Sequence, residues 1–182
     1  MKNPILVVSL VVLLCFAFGC QNKAGKAELE KFRAQAKIEE QNKALVTQYI
    51  EGLNKGGDFE VLKEFLAPEY FFYSPSRSNK PNSRKEQIET LIMFNKAFPD
   101  LSWNVQELIT AGDKVIVRYI SRGTHKGEFA GISATGNQIE WSGIAIIRIE
   151  NGKIVEEKEE NDGSNIMLQL GMELKPKEAE KK

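Results

Sequence analysis

The chain has 182 residues, in which 25 basic and 25 acidic side chains give a formal net charge of zero. This balance argues against a nucleic-acid-binding protein, because such proteins carry a surplus of positive charge. Two cysteines and one histidine are too few for a disulfide-rich scaffold or for a structural zinc site with four ligands. The composition therefore predicts one globular domain with accessory segments and no metal site.

An apolar run occupies the amino terminus, from Ile5 to Phe18, behind the positive charge of Lys2. A helix of this length is shorter than the roughly 30 Å core of a bilayer, and it has the length of a signal-peptide core instead. The run ends at Gly19 and Cys20, and this ending resembles the lipobox of bacterial lipoproteins. The resemblance implies that residues 1–19 are a signal and that acylated Cys20 anchors the protein to a membrane of the bacterial cell envelope. An ordinary secretory signal is the alternative.

Charged segments flank the predicted domain. Residues 20–41 are rich in Lys, Glu, Ala and Gln, which are strong helix formers. We interpret them as a tether that lifts the domain off the membrane, and a partner-binding helix is the alternative. Residues 175–182 contain mostly charged side chains and predict a disordered tail. The domain itself is therefore expected at residues 42–174.

Apolar stripes with helical spacing predict three helices in the first half of the domain. The first stripe runs from Leu45 to Leu53 and stops before Gly56, a residue that readily takes the left-handed conformation of a helix end. A second helix is expected between Asp58 as its cap and Pro68, and a third begins at the cap Ser83.

The second half of the domain changes to the alternating pattern of strands. A short aromatic strand is expected at Tyr70–Tyr73, and Asn151–Gly152 is a strong hairpin signal between two long runs. Helices followed by an antiparallel meander predict an α+β domain with helices packed on one face of a sheet. The four long predicted strands are Trp103–Ile109, Lys114–Thr124, Gln138–Ile149 and Lys153–Glu160.

An ordered set of short motifs runs through the domain from Ala44 to Gly171. The motifs lie at Tyr49 to Asp58, Phe65 to Tyr70, Ala97 to Trp103, Gly112 to Val115, Arg122 to Gly131, Thr135–Gly136, Glu150 to Glu156 and Gln169 to Gly171. The set resembles the SnoaL-like polyketide cyclases and ester cyclases of the nuclear-transport-factor-2-like superfamily. The resemblance implies a cone in which three helices and a curved, mostly antiparallel sheet enclose an apolar cavity, often in a homodimer.

The resemblance also implies a chemistry and two catalytic residues. Characterised members close a ring by intramolecular aldol condensation without metal or cofactor. The histidine of their G-T-H-x-G segment matches His125, and the acidic residue after their T-G turn matches Glu140. Glu140 would exchange a proton and His125 would orient or polarise a carbonyl group. The alternatives are a pocket-lining role for His125 and a solvated position for Glu140.

Five further residues are candidates for binding a small apolar or carbonyl-containing molecule in the cavity. The aromatic candidates are as readily explained by core packing, and Asn54 by capping of the first helix. The five candidates are Asn54, Tyr49, Trp103, Phe129 and Asp162.

The run from Glu156 to Asp162 departs from the family pattern. Glu157, Lys158 and Asn161 stand where ring side chains are expected. Such a charged run indicates either a solvated edge strand or a pocket that is unusually polar.

Two classes of function remain open from the sequence. The first is a cofactor-free cyclase or related acid–base catalyst that acts on a small carbonyl compound. The second is a non-catalytic module of the cell envelope that binds a small ligand or forms a dimer. The fold alone does not choose between them, because one fold hosts many functions.

Overall fold

The protein is described by a computed structural model, which covers residues 4–56, 58–76 and 78–173. The chain forms two compact units, Met1–Ile38 and Glu39–Lys182. The helix α1 (Pro4–Lys55) includes the segment that we interpreted as a tether. Among the described residues, no helix is both long enough and apolar enough to cross a membrane. The predicted signal, the acylation site and the tail at 175–182 lie outside the residues whose side chains are described.

The part of α1 that belongs to the second unit contributes an apolar face to the core. Val46, Tyr49, Ile50 and Leu53 are buried, as their helical spacing predicts. The helix ends at Lys55, and Gly56 follows it with a φ of +61°. The expected first helix is therefore present and begins far upstream of the apolar stripe.

The second expected helix is a 3₁₀ helix, Phe59–Glu64, rather than an α-helix that extends to Pro68. Asp58 caps it as predicted, because its side chain accepts a hydrogen bond from the Glu60 N–H at 2.9 Å. The helix stops where Leu66 enters a strand, since the Phe65 carbonyl accepts a hydrogen bond from the Ile154 N–H at 2.8 Å. Sheet pairing therefore ends the helix before the proline does.

The third expected helix, α2 (Arg84–Ala97), begins with a capping box. The Ser83 side chain accepts from the Glu86 N–H, and the Glu86 side chain accepts from the Ser83 N–H at 2.7 Å. These two hydrogen bonds supply acceptors to two backbone N–H groups that have no partner within the helix. The helix ends at Ala97, and its C-terminal cap residue Phe98 directly precedes Pro99.

Six strands form one sheet in the order β2–β1–β6–β5–β4–β3, and a short helix α3 follows. All neighbouring strands are antiparallel except β1 and β6. The bounds of the four long strands differ from the predicted ones by at most two residues, and the α+β class is confirmed. The elements are β1 (Leu66–Tyr73), β2 (Asn82–Ser83), β3 (Ser102–Ala111), β4 (Lys114–Thr124), β5 (Gln138–Glu150), β6 (Lys153–Asn161) and α3 (Gly163–Gln169).

The position of β6 overturns one interpretation of the charged run. This strand lies between β1 and β5, so it is a central strand and not a solvated edge. The reason is the parallel pairing with β1, which brings Phe72 beside Glu157. Every second side chain of β6 therefore faces the helices.

The core divides into two apolar clusters on the inner face of the sheet. One lies beneath α1 and α2 and includes Tyr49, Val117 and Ile147. The other gathers around Phe98 and Trp141 at the opposite end of β4 and β5. The inner face thus has one end that borders both helices and one end that is filled with aromatic side chains.

Gly143 is a position where the core tolerates no side chain. It pairs with Tyr119 across β4 and β5, and a Cβ at this position would lie 2.4 Å from the Tyr119 hydroxyl oxygen.

We expect Gly143→Ala to lower the free energy of unfolding by about 1–3 kcal/mol, because the phenol ring of Tyr119 must move. Urea denaturation measures the change. Gly25→Ala is the control, since no atom lies within 4 Å of the corresponding Cβ, and equal stability of Gly143→Ala and wild type would contradict the prediction.

Candidate functional site

A cavity with about 540 Å³ of space between its walls, part of it open to solvent, lies between the helices and the inner face of the sheet. Most of its lining is apolar or aromatic, and its polar side chains come from α1, α2, β4 and β6. The lining consists of Tyr49, Ile50, Leu53, Gln87, Leu91, Trp103, Val105, Val117, Tyr119, Ala145, Ile147, Glu157 and Glu159.

Glu157 is the best-anchored polar group of this cavity. Its side chain is only 7% exposed, because β6 is central and the residue points toward the helices. The Tyr70 hydroxyl donates to Glu157 Oε2 at 3.0 Å, and the Tyr49 hydroxyl donates to the same oxygen at 3.3 Å. Two phenol donors from different elements thus fix the carboxylate in place and stabilise its ionised form.

The same contact acts on the two tyrosines. Burial, followed by the negative charge of Glu157, raises the pKa of Tyr49 well above its ordinary value. Burial and Glu157 raise the pKa of Tyr70 in the same order of importance. Both phenols therefore stay protonated across the neutral pH range and remain hydrogen-bond donors.

Glu159 lies two residues further along β6 on the same face. It is 8% exposed, and the Asn161 side-chain amide donates to its Oε1 atom. Its cross-strand neighbour on β5 is Ala145, whose small side chain also lines the cavity.

Gln87 contributes an amide from α2. The residue is 4% exposed, and its Oε1 atom accepts a hydrogen bond from the Asn82 side chain at 3.5 Å. Its Nε2 donates no hydrogen bond to any residue that the structure describes.

The structure does not bring Glu140 and His125 together in one cavity. Glu140 lies on the outer face of the sheet, where its Oε2 pairs with Arg122 Nε at 2.5 Å. His125 is fully buried in the aromatic end of the core, with its ring 5.2 Å from that of Phe98. The reason is strand alternation, because Glu140 and its cross-strand partner Arg122 point outward.

The His125 ring is held in one orientation by a turn rather than by a carboxylate. The Thr135 N–H donates to His125 Nδ1 at 3.2 Å, and the Thr135 hydroxyl lies 3.1 Å from the same nitrogen. The ring nitrogen that accepts these contacts carries no proton, so the neutral ring is protonated at Nε2. No Asp or Glu is among the hydrogen-bond partners of His125 in the described part of the chain.

Two of the three aromatic candidates, Tyr49 and Trp103, line the cavity, whereas Asn54 makes a different contact. Asn54 Oδ1 accepts from the Trp103 N–H at 2.6 Å, and Asn54 Nδ2 donates to the Trp103 carbonyl at 3.0 Å. Its amide therefore joins the end of α1 to β3. It neither caps the helix nor reaches the cavity lining.

Phe129 and Asp162 also lie away from the cavity. The Phe129 ring packs 4.9 Å from that of Phe94 in the second cluster. Asp162 is exposed and caps α3, since its side chain accepts from the Asn165 N–H at 3.1 Å. Neither residue lines this cavity, and Asp162 borders a separate, open pocket with Arg118 and Gly143, so the binding role of both residues stays a prediction.

The polar groups that do line the cavity owe their position to an irregularity that the sequence does not announce. The Asn151–Gly152 turn pairs Glu150 with Lys153, but a shift of register between Arg148 and Ile149 then pairs Glu157 with Ile147 and Glu159 with Ala145. Acidic residues opposite the apolar face of a neighbouring strand must be buried if the strand is central. Gln87 carries no signal either, because a lone glutamine in a helix is usually solvated.

Comparison with known proteins gives the family. The family model for SnoaL-like polyketide cyclases matches residues 43–170. The chain belongs to this family. No curated protein sequence matches it significantly.

Solved structures share this SnoaL-like fold. AclR from Streptomyces galilaeus, a candidate hydroxylase, is 26% identical with a TM-score of 0.67 over 73% of this chain and 97% of AclR. IdmH from Streptomyces antibioticus, a candidate polyketide cyclase, is 29% identical with a TM-score of 0.63 over 72% of this chain and 99% of IdmH. A SnoaL-like protein from Jannaschia has a TM-score of 0.68 at 21% identity, over 75% of this chain and 96% of its own, and shows the fold alone.

The raised pKa values of Tyr49 and Tyr70 predict an alkaline limit to stability. Below pH of about 10 both tyrosines are neutral in the folded and unfolded states, so they add no pH dependence. Above it the unfolded chain ionises first, and stability falls as pH rises toward the folded pKa values.

Phenolate absorbance measured together with circular dichroism tests this expectation. Two of the four tyrosines should ionise only as the SnoaL-like domain unfolds, and Tyr70→Phe should remove one of them. Ionisation of all four before any loss of structure would show that the prediction is wrong.

Proposed function

We propose that this SnoaL-like domain is a cofactor-free acid–base catalyst that acts on a small carbonyl compound in the cavity. The observation that carries the proposal is the pair of buried carboxylates, Glu157 and Glu159, within a largely apolar lining. Membership of the SnoaL-like family and the likeness to IdmH support this type of chemistry.

The two carboxylates have different surroundings and are proposed to have different roles. Glu157 is fixed by two phenol donors, so it positions the bound molecule. Glu159 lines the same cavity and pairs across the sheet with Ala145. It is therefore the group that we assign to proton transfer.

An intramolecular aldol reaction balances with this single proton carrier. Glu159 removes a proton next to a carbonyl group, and the resulting carbanion forms a carbon–carbon bond to a second carbonyl of the same molecule. Glu159 then returns the proton to the alkoxide. The N–H groups of Gln87 are placed in the lining to donate to an oxygen on which negative charge develops.

Glu159→Gln tests the proposal with α-tetralone as an apolar ketone probe. We expect the protein to accelerate deuterium exchange next to the carbonyl, and the substitution to slow it by about 100-fold or more, because the proton acceptor is lost. Nuclear magnetic resonance of the probe measures the exchange. Glu140→Gln is the matched control on the outer face and should leave the rate unchanged, as should His125→Ala in folded protein.

Three outcomes would contradict this assignment. Exchange that persists in Glu159→Gln would remove the proton-transfer role of Glu159. Loss of exchange in Glu140→Gln or His125→Ala would return the chemistry to the residues indicated by the family motif. Binding of α-tetralone without any exchange would favour the ligand-binding alternative.

We also propose that the domain is held at a bacterial membrane by acyl chains on Cys20. Support comes from the apolar run that ends at Gly19 and Cys20. Several acyl chains bind a bilayer far more firmly than one chain. The homodimer that the family resemblance implies stays a prediction.

Labelling with radioactive palmitate in a bacterial host tests the anchor. We expect the wild-type chain to take up label and Cys20→Ser to lose it, because the thiol is the acylation site. An unlabelled wild-type chain, secreted in soluble form, would show that the run is an ordinary secretory signal.

A further inference from the structure

The outer face of the sheet, which is the side of β3–β6 that points away from the helices, carries apolar side chains at its centre. Ile116 on β4 pairs with Ile109 on β3 and with Ile146 on β5, so the three side chains form a row. Ile144 stands next to Ile146 on the same face of β5. Isoleucine is among the residue types that are most often buried, yet Ile109 and Ile144 are both 48% exposed and Ile146 is 41% exposed. Contiguous exposed apolar side chains of this kind mark an interaction surface.

Ion pairs surround this apolar patch. They join basic and acidic side chains of the same outer face, so positive and negative charges alternate across it. The pairs are Arg118 with Glu107, Arg122 with Glu140, Arg148 with Glu156 and Lys158 with Glu156. Because these charges compensate one another, the face lacks the surplus of positive charge by which nucleic acids and anionic membranes are bound. The occupant of the face must therefore be close to neutral and must offer both signs of charge.

A second copy of this chain meets these requirements. In a dimer with two-fold symmetry, both copies use the same patch, and the patch must be complementary to itself. The outer face has this property, because its apolar centre matches another apolar centre and its mixed charges match a second set of mixed charges. Two sheets that face each other in this way pack about 10 Å apart, as in a β-sandwich.

The outer face is also large enough for a stable dimer. Neighbouring strands lie about 4.8 Å apart, and each residue of a strand adds about 3.4 Å to its length. Each of the four strands β3–β6 has at least nine residues. Their outer face therefore has a flat area of roughly 600 Å², to which the projecting side chains add. Specific interfaces bury about 600–1,000 Å² of each partner.

We propose that two copies of this chain associate through the outer faces of their sheets, with the two-fold axis close to Ile144 and Ile146. The isoleucines of both copies form an apolar layer between the two sheets, and the ion pairs form its polar rim. The interface lies on the opposite side of the sheet from the cavity. The inference therefore stands or falls independently of the proposed catalytic function.

Ile144→Glu tests the inference in the full chain, which a mild detergent keeps in solution despite its apolar amino-terminal run. Sedimentation equilibrium measures the association. We expect the wild-type chain to dimerise with a Kd below about 10 μM, and Ile144→Glu to raise this Kd at least about 100-fold, because each dimer would bury two unpaired carboxylates. Met93→Glu is the matched control and should leave the Kd unchanged, since Met93 is 47% exposed but lies on α2.

A mixture of two variants tests the symmetry of the interface. Ile144→Glu and Ile144→Lys should each associate weakly, because like charges meet near the axis. Their equimolar mixture should associate at least about tenfold more tightly than either variant alone, since opposite charges then face each other. Circular dichroism checks that each variant is folded. A mixture that associates no better than its components would contradict the two-fold arrangement.

Three further results would overturn the inference. A wild-type chain that is monomeric at about 100 μM would leave a partner of another kind as the occupant of the outer face. A folded Ile144→Glu variant that keeps the wild-type Kd would show that the chains associate elsewhere. An equal rise of the Kd in Met93→Glu would show that the effect of the added charge is not specific to the outer face.

Discussion

One carboxylate oxygen joins three elements of the second unit. Glu157 Oε2 on β6 accepts hydrogen bonds from Tyr49 on α1 and from Tyr70 on β1. The contact forms only because β1 lies parallel to β6 and makes it a central strand. Removing either phenol would leave a buried charge with fewer donors, which is among the costlier changes in a protein interior. The cavity, its polarity and the protonated state of both tyrosines all depend on this arrangement.

The local features of the fold could be predicted from the sequence because their signals are local. The capping residue Ser83, the Asn151–Gly152 turn and the alternation along β4 each specify a structure within a few residues. The central position of β6 is different, because it follows from pairing with a strand that is distant in sequence, as in the Leu66–Ile154 contact. No local pattern encodes that pairing, so a run of acidic residues had the appearance of a solvated edge.

The same limit applied to the candidate site. The motif that includes His125 lies within the segment that matches the SnoaL-like family. Aromatic side chains such as Phe98 pack around the His125 ring. Glu140 was matched to the family's acidic residue by its spacing from a turn. A shift of one residue along a strand moves a side chain to the opposite face of the sheet. The family resemblance predicted the fold, whereas the catalytic roles of His125 and Glu140 stay predictions, because one fold can carry its functional residues at different positions.

The contact between Asn54 and Trp103 has a consequence for association between chains. β3 is an outer strand of the sheet, and the exposed N–H and C=O groups of such a strand can pair with strands of other molecules. Asn54 occupies both backbone groups of Trp103. At the other end of β3, the Glu39 and Asn42 side chains occupy the N–H and the carbonyl of Gly112. Side chains of α1 thus close both ends of this border to strand addition, which protects the protein against aggregation through its own sheet.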